Sequence, residues 1–285
     1  MKLFDRFTGA SLKPSWEFKT DGLVWRLVPA PGGLLLGEER DIERKSVSFF
    51  ALDQTTGSPL WQKVTFNEQQ WWIGIEAVCD GVVLLHTFAS PDLPGHRGIT
   101  AVDIRLGQAL WSSPELAFFA LRGTSLYVTR AERPLLLNVD LHSGQLKREL
   151  QPGEKIPPAP EGEFAGGVVF PFPVDLRSEQ SDLAASLRRS IREESLAGPV
   201  EVVENGPFVV CSCHEQMETS AEGRPQFHNV LRIVDQGSGR VIFAVTLNPA
   251  VTTIVPESFF VRENFLVYVK DRRTITAVRL RAETQ

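Results

Sequence analysis

The stretch Ala51-Leu52-Asp53-Gln54-Thr55-Thr56-Gly57-Ser58-Pro59-Leu60-Trp61 decides the fold. It links the end of an apolar strand to a second strand through an Asp and a Gly four residues apart. An Asp carboxylate accepts hydrogen bonds from backbone N–H groups two or so residues on, and Gly takes the positive φ that turns the chain back, so the unit reads as a tight hairpin. Trp61, four beyond the Gly, falls on the return strand, where a large aromatic can pack against a neighbouring sheet.

The spacing recurs down the chain. Asp5 with Gly9, Asp103 with Gly107, Asp140 with Gly144, and Asp235 with Gly239 repeat it. Four past the Gly stand Trp111 and Phe243 in two of these copies and Arg148 and Lys13 in the others, with Trp16 three beyond Lys13. Upstream of the regular hairpins, further strand pairs read around turns: Leu23 to Val28 with Leu34 to Gly37, Trp72 to Val78 with Val82 to His86, and Glu201 to Val203 with Phe208 to Cys213. Four antiparallel strands per repeat is the content of a propeller blade.

Successive Asp positions lie 48, 50, 37 and 95 residues apart, and Arg279 takes the Asp place 44 beyond Asp235. The long interval predicts a hidden blade. The chain therefore reads as all-β, a single β-propeller domain over 1–285 with six blades, five or seven also fitting the intervals. Its last blade is expected to join the C-terminal strands to an N-terminal strand near Leu12 to Phe18, which leaves no open sheet edge.

Residues 151–196 break the pattern and are predicted to form an irregular blade with a helical insertion. No Asp-to-Gly hairpin is read there. Ser178 to Leu196 reads as a helix with Leu183, Leu187 and Ile191 in one apolar stripe, Ser178 or Ser181 at its start and Gly198 at its end. Its stripe packs on a sheet in the simpler reading and docks a partner in the other. The remaining face, with Arg188, Arg189, Arg192, Glu193 and Glu194, mixes both signs as a solvated face does.

The pattern Ala, any residue, Asp, two residues, Thr-Gly, three residues, Trp at Ala51 to Trp61 resembles the repeat of the quinoprotein-type propellers. Ala101 to Trp111 is similar, with Leu106 in place of Thr. The resemblance implies the fold, which hosts quinone-dependent alcohol dehydrogenases and non-catalytic scaffold lipoproteins of outer-membrane assembly. The dehydrogenases carry eight blades, adjacent cysteines and calcium ligands around the quinone. Here Cys211 and Cys213 are separated by Ser212 and the chain has 285 residues, so the resemblance does not imply the quinone chemistry.

Composition bounds the partners. With 35 acidic and 30 basic residues and a formal charge of -5, the chain offers no electrostatic footprint for nucleic acid. Met1 to Arg6 lacks the apolar core of a signal peptide, and no run reaches the roughly 20 apolar residues that span a bilayer, so cytoplasmic residence without membrane contact is expected. Cys79, Cys211 and Cys213 are odd in number and fit thiols in a reducing compartment.

Candidate chemistry is sparse. Cys211-Ser212-Cys213-His214 has zinc-type donors, yet strand alternation sends the two thiols to one face and His214 to the other. Aligning Gly81 with Gly206 sets His86 opposite Cys211, while His96, His142 and His228 fall in apparent loops or hairpins. Glu76 lies on an expected innermost strand, where it can line a site at the central channel, but no second carboxylate pairs with it from sequence. No nucleophile elbow, phosphate loop or His-x-x-x-His occurs. No catalytic residue, cofactor or metal is therefore predicted. Residues 38–45, 88–97 and 213–227 read as long loops on one rim, a surface for a protein partner. The expected function is a non-catalytic interaction or scaffold module; the alternative is a small-molecule-binding protein or hydrolytic or redox enzyme with its site at the channel mouth.

Overall fold

The computed structural model describes residues 12–66, 71–90, 93–130, 133–158, 167–217, 219 and 223–280. The Asp5 to Gly9 hairpin lies outside them. The chain groups into two compact units, one of residues 20–166 and one that combines 1–19 with 167–285.

After β1 (Pro14–Lys19) come β2 (Leu23–Ala30), β3 (Leu34–Asp41), β4 (Ser46–Asp53) and β5 (Pro59–Val64), a four-stranded antiparallel sheet in chain order. The same meander is repeated by β6 (Ile73–Cys79), β7 (Val82–Ser90), β8 (Leu93–Asp103) and β9 (Gln108–Ser113), and again by β10 (Leu116–Arg122), β11 (Ser125–Arg130), β12 (Arg133–Asp140) and β13 (Leu146–Glu149). These three sheets make up the first unit. The second unit contains β14 (Val168–Val169), β15 (Phe172–Val174), α1 (Asp182–Arg188), β16 (Val200–Asn205), β17 (Phe208–Gln216), β18 (Phe227–Asp235), β19 (Val241–Val251), β20 (Phe259–Arg262), β21 (Phe265–Lys270) and β22 (Thr274–Arg279). Its sheets run β15-β16-β17-β18-β19 and β1-β22-β21-β20-β14. As expected, an N-terminal strand closes onto the C-terminal one, Phe18 lying opposite Ile275.

Five sheets form among the described residues, where the spacing predicted six blades. The described residues of segment 151–196 yield no sheet of their own, because β14 pairs with β20 and β15 with β16. An Asp turn does sit in it: Asp175 accepts from the N–H of Arg177 at 3.0 Å and the hydroxyl of Ser178 at 2.9 Å. Sequence reading passed over it because Glu179 occupies the place of the Gly.

The regular hairpins work as their residues dictate. Asp53 Oδ1 accepts from the N–H groups of Thr55 at 2.9 Å and Thr56 at 2.8 Å, and Asp103 does the same for Arg105 and Leu106. Gly57, Gly107, Gly144 and Gly239 all take positive φ. The tryptophans explain why Gly is needed twice over. Trp61 Nε1 donates to Ile104 O at 2.8 Å and Trp111 Nε1 to Leu141 O at 2.9 Å, each the residue after the next sheet's hairpin Asp. A Cβ on Gly107 would lie 2.7 Å from the Trp61 ring, and one on Gly144 2.6 Å from Trp111. Within the first unit the first sheet is thus pinned to the second, and the second to the third, by an indole laid over a glycine.

In the second unit Arg189 takes the place of an indole, its guanidinium 3.0 Å from where a Gly239 Cβ would be. It belongs to the predicted helix, which is shorter than expected. α1 spans 182–188, capped by Ser181 Oγ accepting from the N–H of Ala184, and it ends at Arg189 well short of Gly198. Arg188 turns back to donate to Leu176 O and Glu179 O, and single bonds from Ser190 and Ile191 to Leu187 O close the last turn. A second short turn covers Glu193–Ser195. The stripe survives this break: Leu187 and Ile191 are buried with Val200, Val202, Val209, Cys211 and Cys213, and Leu183 packs against them. Burial against the sheet, more than helix propensity, holds this segment.

The predicted rim loops are partly strand. β3 reaches Asp41, β7 and β8 extend through 82–90 and 93–103, and β17 runs to Gln216, because each pair of strands keeps exchanging ladder hydrogen bonds to its tip. No helix among the described residues is long and apolar enough to cross a membrane.

Candidate functional site

Two β-bulges build the polar site of the first unit. In the β6–β7 ladder Ile75 faces Leu85 and Ala77 faces Leu84, so Glu76 has no opposite residue. In the β7–β8 ladder His86 faces Ile99 and Thr87 faces Arg97, which leaves Gly98 extra at φ +82°. A bulge re-aims the side chains around it, and a slip of one residue exchanges the two faces of a strand. Here the Gly98 slip places His96 directly opposite Phe88 and on the face of His86.

The outcome is a compact cluster. Oε2 of Glu76 lies 3.0 Å from Nδ1 of His86 and 2.7 Å from Nδ1 of His96. The imidazoles stack with centroids 3.5 Å apart and planes inclined by 6°, while Phe88 meets both edge-on and Trp72 in turn meets Phe88. His86 is buried, and the His96 side chain is 37% exposed, so the cluster opens to solvent along β8. Burial would raise the Glu76 carboxyl, but the close approach of the His86 and His96 imidazoles outweighs it and holds the group below the ordinary carboxylate value.

Behind the cluster lies a second, fully internal pair. Glu38 and Arg40 sit on β3 with side chains 3% and 9% exposed and 2.6 Å apart. Arg40 also donates to Trp71 O and Ile73 O, and lies over the rings of Trp25 and Trp71 at 5.0 Å each. Glu38 Oε2 accepts from the N–H of Ile75 at 3.2 Å. Gly74 makes this possible, since its missing Cβ would be 3.2 Å from both Glu38 Oε2 and His86 Nε2. The second carboxylate near Glu76, which sequence reading could not supply, is therefore Glu38.

Counting four residues from the partner of each hairpin Asp aligns the strands by register: Leu34, Val82 and Phe208 face Asp53, Asp103 and Asp235. Glu38, His86 and Ser212 then hold one equivalent position. The sequence alignment of His86 with Cys211 is off by one, because Pro207 lengthens that turn.

The remaining candidates lie apart. Cys211 and Cys213 share one face of β17 under α1, as alternation requires, and burial pushes their thiols up to about 12 and about 11. Arg232 bridges Cys213 Sγ at 2.9 Å and Glu215 Oε1 at 2.5 Å. His214, on the other face, accepts from the N–H of Val255 at 3.0 Å, and burial holds its imidazole below the usual value. His142 is exposed beside Asp80, and His228 lies on β18 facing Glu215. No disulfide joins Cys79, Cys211 and Cys213. Alkylation of the native protein at pH 8 is expected to label Cys79 alone within minutes, with Cys211 and Cys213 reacting only after denaturation; intact-mass spectrometry showing two or three adducts before unfolding contradicts this.

Residues 30–111 match a family described as a domain of unknown function (DUF4905). That span contains Glu38, Arg40, Glu76, His86 and His96. No curated protein matches the chain. Solved structures similar to it include a europium-containing methanol dehydrogenase, at 14% identity and a TM-score of 0.30 over 92% of this chain and 52% of that one. Another is the dihydro-heme d1 dehydrogenase NirN, at 12% and 0.29 over 79% and 38%. A third is the β-propeller domain of Cps50 (Swd1) from Myceliophteria thermophila, at 11% and 0.31 over 90% and 70%. The chain spans about half the length of the first of these. None of these matches singles out the quinoprotein repeat.

Proposed function

We propose that the chain is a propeller-type binding module, without catalytic turnover, whose ligand seat is the Glu76, His86 and His96 cluster. The carrying observation is preorganisation: a charged carboxylate and two imidazoles converge on one point. Ladder register and the edge-on Phe88 place them, and one side stays open. Such a constellation, held on strands and backed by buried partners, serves ligand binding well. Among the described residues the cluster has no hydroxyl or thiol nucleophile hydrogen-bonded to a base, which favours binding over covalent catalysis.

Thermal unfolding in the presence of a panel of divalent cations, phosphate, nucleotides, sugars and amino acids tests this. A ligand at 100 times its Kd adds about 2.7 kcal/mol, which for a unit of this size raises Tm by several degrees. At least one panel member is expected to do so for the native chain and to lose its effect in Glu76→Gln. A flat panel, or a rise that survives Glu76→Gln, removes the ligand seat.

A second reading, a protein-interaction module, is favoured by a separate observation. Phe119 occupies the bulge position in its sheet that Glu76 has in its own, Trp25 stands at a bulge two residues further along its ladder, and the two residues are 59% and 52% exposed. Exposed large aromatics are the usual anchors of protein contacts. Loss of a captured partner on Trp25→Ser with Phe119→Ser, but not on Glu76→Gln, assigns the function to that surface.

A further inference from the structure

We infer that the ligand of this seat is a divalent first-row metal ion of the zinc class, held by Nδ1 of His86, Nδ1 of His96 and the Glu76 carboxylate, with its remaining positions open to water. This rests on the ligand-seat reading and names the ligand's chemistry.

Three donor atoms, one from each residue, lie within 4.8 Å of one another. Around an ion with bonds of about 2.0–2.2 Å, tetrahedral donors stand roughly 3.3 Å apart. The observed 3.0 and 2.7 Å separations from Oε2 are therefore short of that span by only a few tenths of an ångström. Two imidazoles and one carboxylate are a donor set for zinc and its neighbours; calcium and magnesium prefer oxygen throughout.

An independent observation concerns His86 itself. Its Nδ1 is buried and makes no hydrogen bond, although Oε2 of Glu76 is at ion-pair distance. A buried ring nitrogen left in this way normally costs stability, and a lone pair directed at a cation removes the cost. Its other nitrogen is turned towards the backbone at Gly74. Nε2 shares the space above Gly74 with the Glu38 carboxylate, and Arg40 fixes that carboxylate in turn.

Coordination also says what must move. A metal lies near the plane of each imidazole that binds it, and the planes of His86 and His96 are nearly parallel. One ring has to leave the stack. His96 has the room, being partly exposed near the end of β8, whereas His86 is enclosed with Phe88 at its edge.

The test uses the full chain, stripped with chelator and titrated with Zn2+ by calorimetry and with Co2+ by visible absorption. One equivalent is expected to bind at micromolar or lower concentration, with a Co2+ spectrum of four- or five-coordinate geometry. His96→Ala, at an exposed position that leaves folding intact, and Glu76→Gln are each expected to weaken binding at least about 100-fold, while the neighbouring Arg97→Ala leaves it unchanged. Absence of stoichiometric binding to the native chain overturns the inference, as does equal affinity in His96→Ala and Glu76→Gln. If metals fail while an organic or phosphate ligand raises Tm through Glu76, the metal falls and the ligand seat stands. If nothing in the panel binds, both fall.

Discussion

Arg40→Met is expected to lower the stability of the first unit by about 3–5 kcal/mol, the usual cost of removing one partner of a buried ion pair. The substitution strands the Glu38 carboxylate, which is 3% exposed and keeps only the N–H of Ile75 as a partner among the contacts described above. It also removes the guanidinium from between Trp25 and Trp71 and leaves Trp71 O and Ile73 O without their donor. Glu38→Gln combined with Arg40→Met is expected to recover much of the loss, because no uncompensated charge remains. Urea unfolding followed by tryptophan fluorescence measures both, and an Arg40→Met deficit below about 1 kcal/mol would show that water reaches the pair. Glu38 also holds the N–H of Ile75 next to Glu76, so the single variant is expected to disturb the ligand seat, whereas the effect on the second unit is small.

Gly107→Ala is expected to cost about 3 kcal/mol through two separable effects. The φ of +64° is unfavourable for any residue with a Cβ, by roughly 1–2 kcal/mol. The new methyl would also sit 2.7 Å from the Trp61 indole and push it off Ile104 O. Gly81 supplies the control, since its φ is +76° with nothing within 4 Å of the added Cβ. Gly81→Ala therefore measures the backbone effect alone. If the two variants are equally destabilised, the indole contributes nothing to joining these sheets, and the Trp at the end of the repeat is only a strand residue.

Much of the architecture is legible in local sequence. Asp53, Asp103, Asp140 and Asp235 close their turns with their own carboxylates, a contact spanning three residues that no distant part of the chain has to arrange. The return of the N-terminal strand to the C-terminal sheet and the shared face of Cys211 and Cys213 follow from spacing and from the period of two. The helix stripe was legible too, but not the helix length, because Arg188 bonds back to Leu176 and ends it. The hidden blade misled for a similar reason. Its Asp turn at Asp175 exists without Gly, and its strands were drawn into the sheets of β16 and β20.

The candidate site was legible only in fragments. Glu76 stood out on its strand, and Gly98 inside an apolar run was the available sign of a bulge. His96 gave no sign, since strand parity counted from His86 depends on whether a residue is left over between them. Sequence by itself determined the hairpins, the strand content and the closure of the two ends, because each depends on residues a few positions apart or on simple alternation. Tertiary structure alone decided that Glu76, His86, His96 and Glu38 share one place. Bulges are fixed by how neighbouring strands pair, and a single unpaired residue changes which side chains face each other.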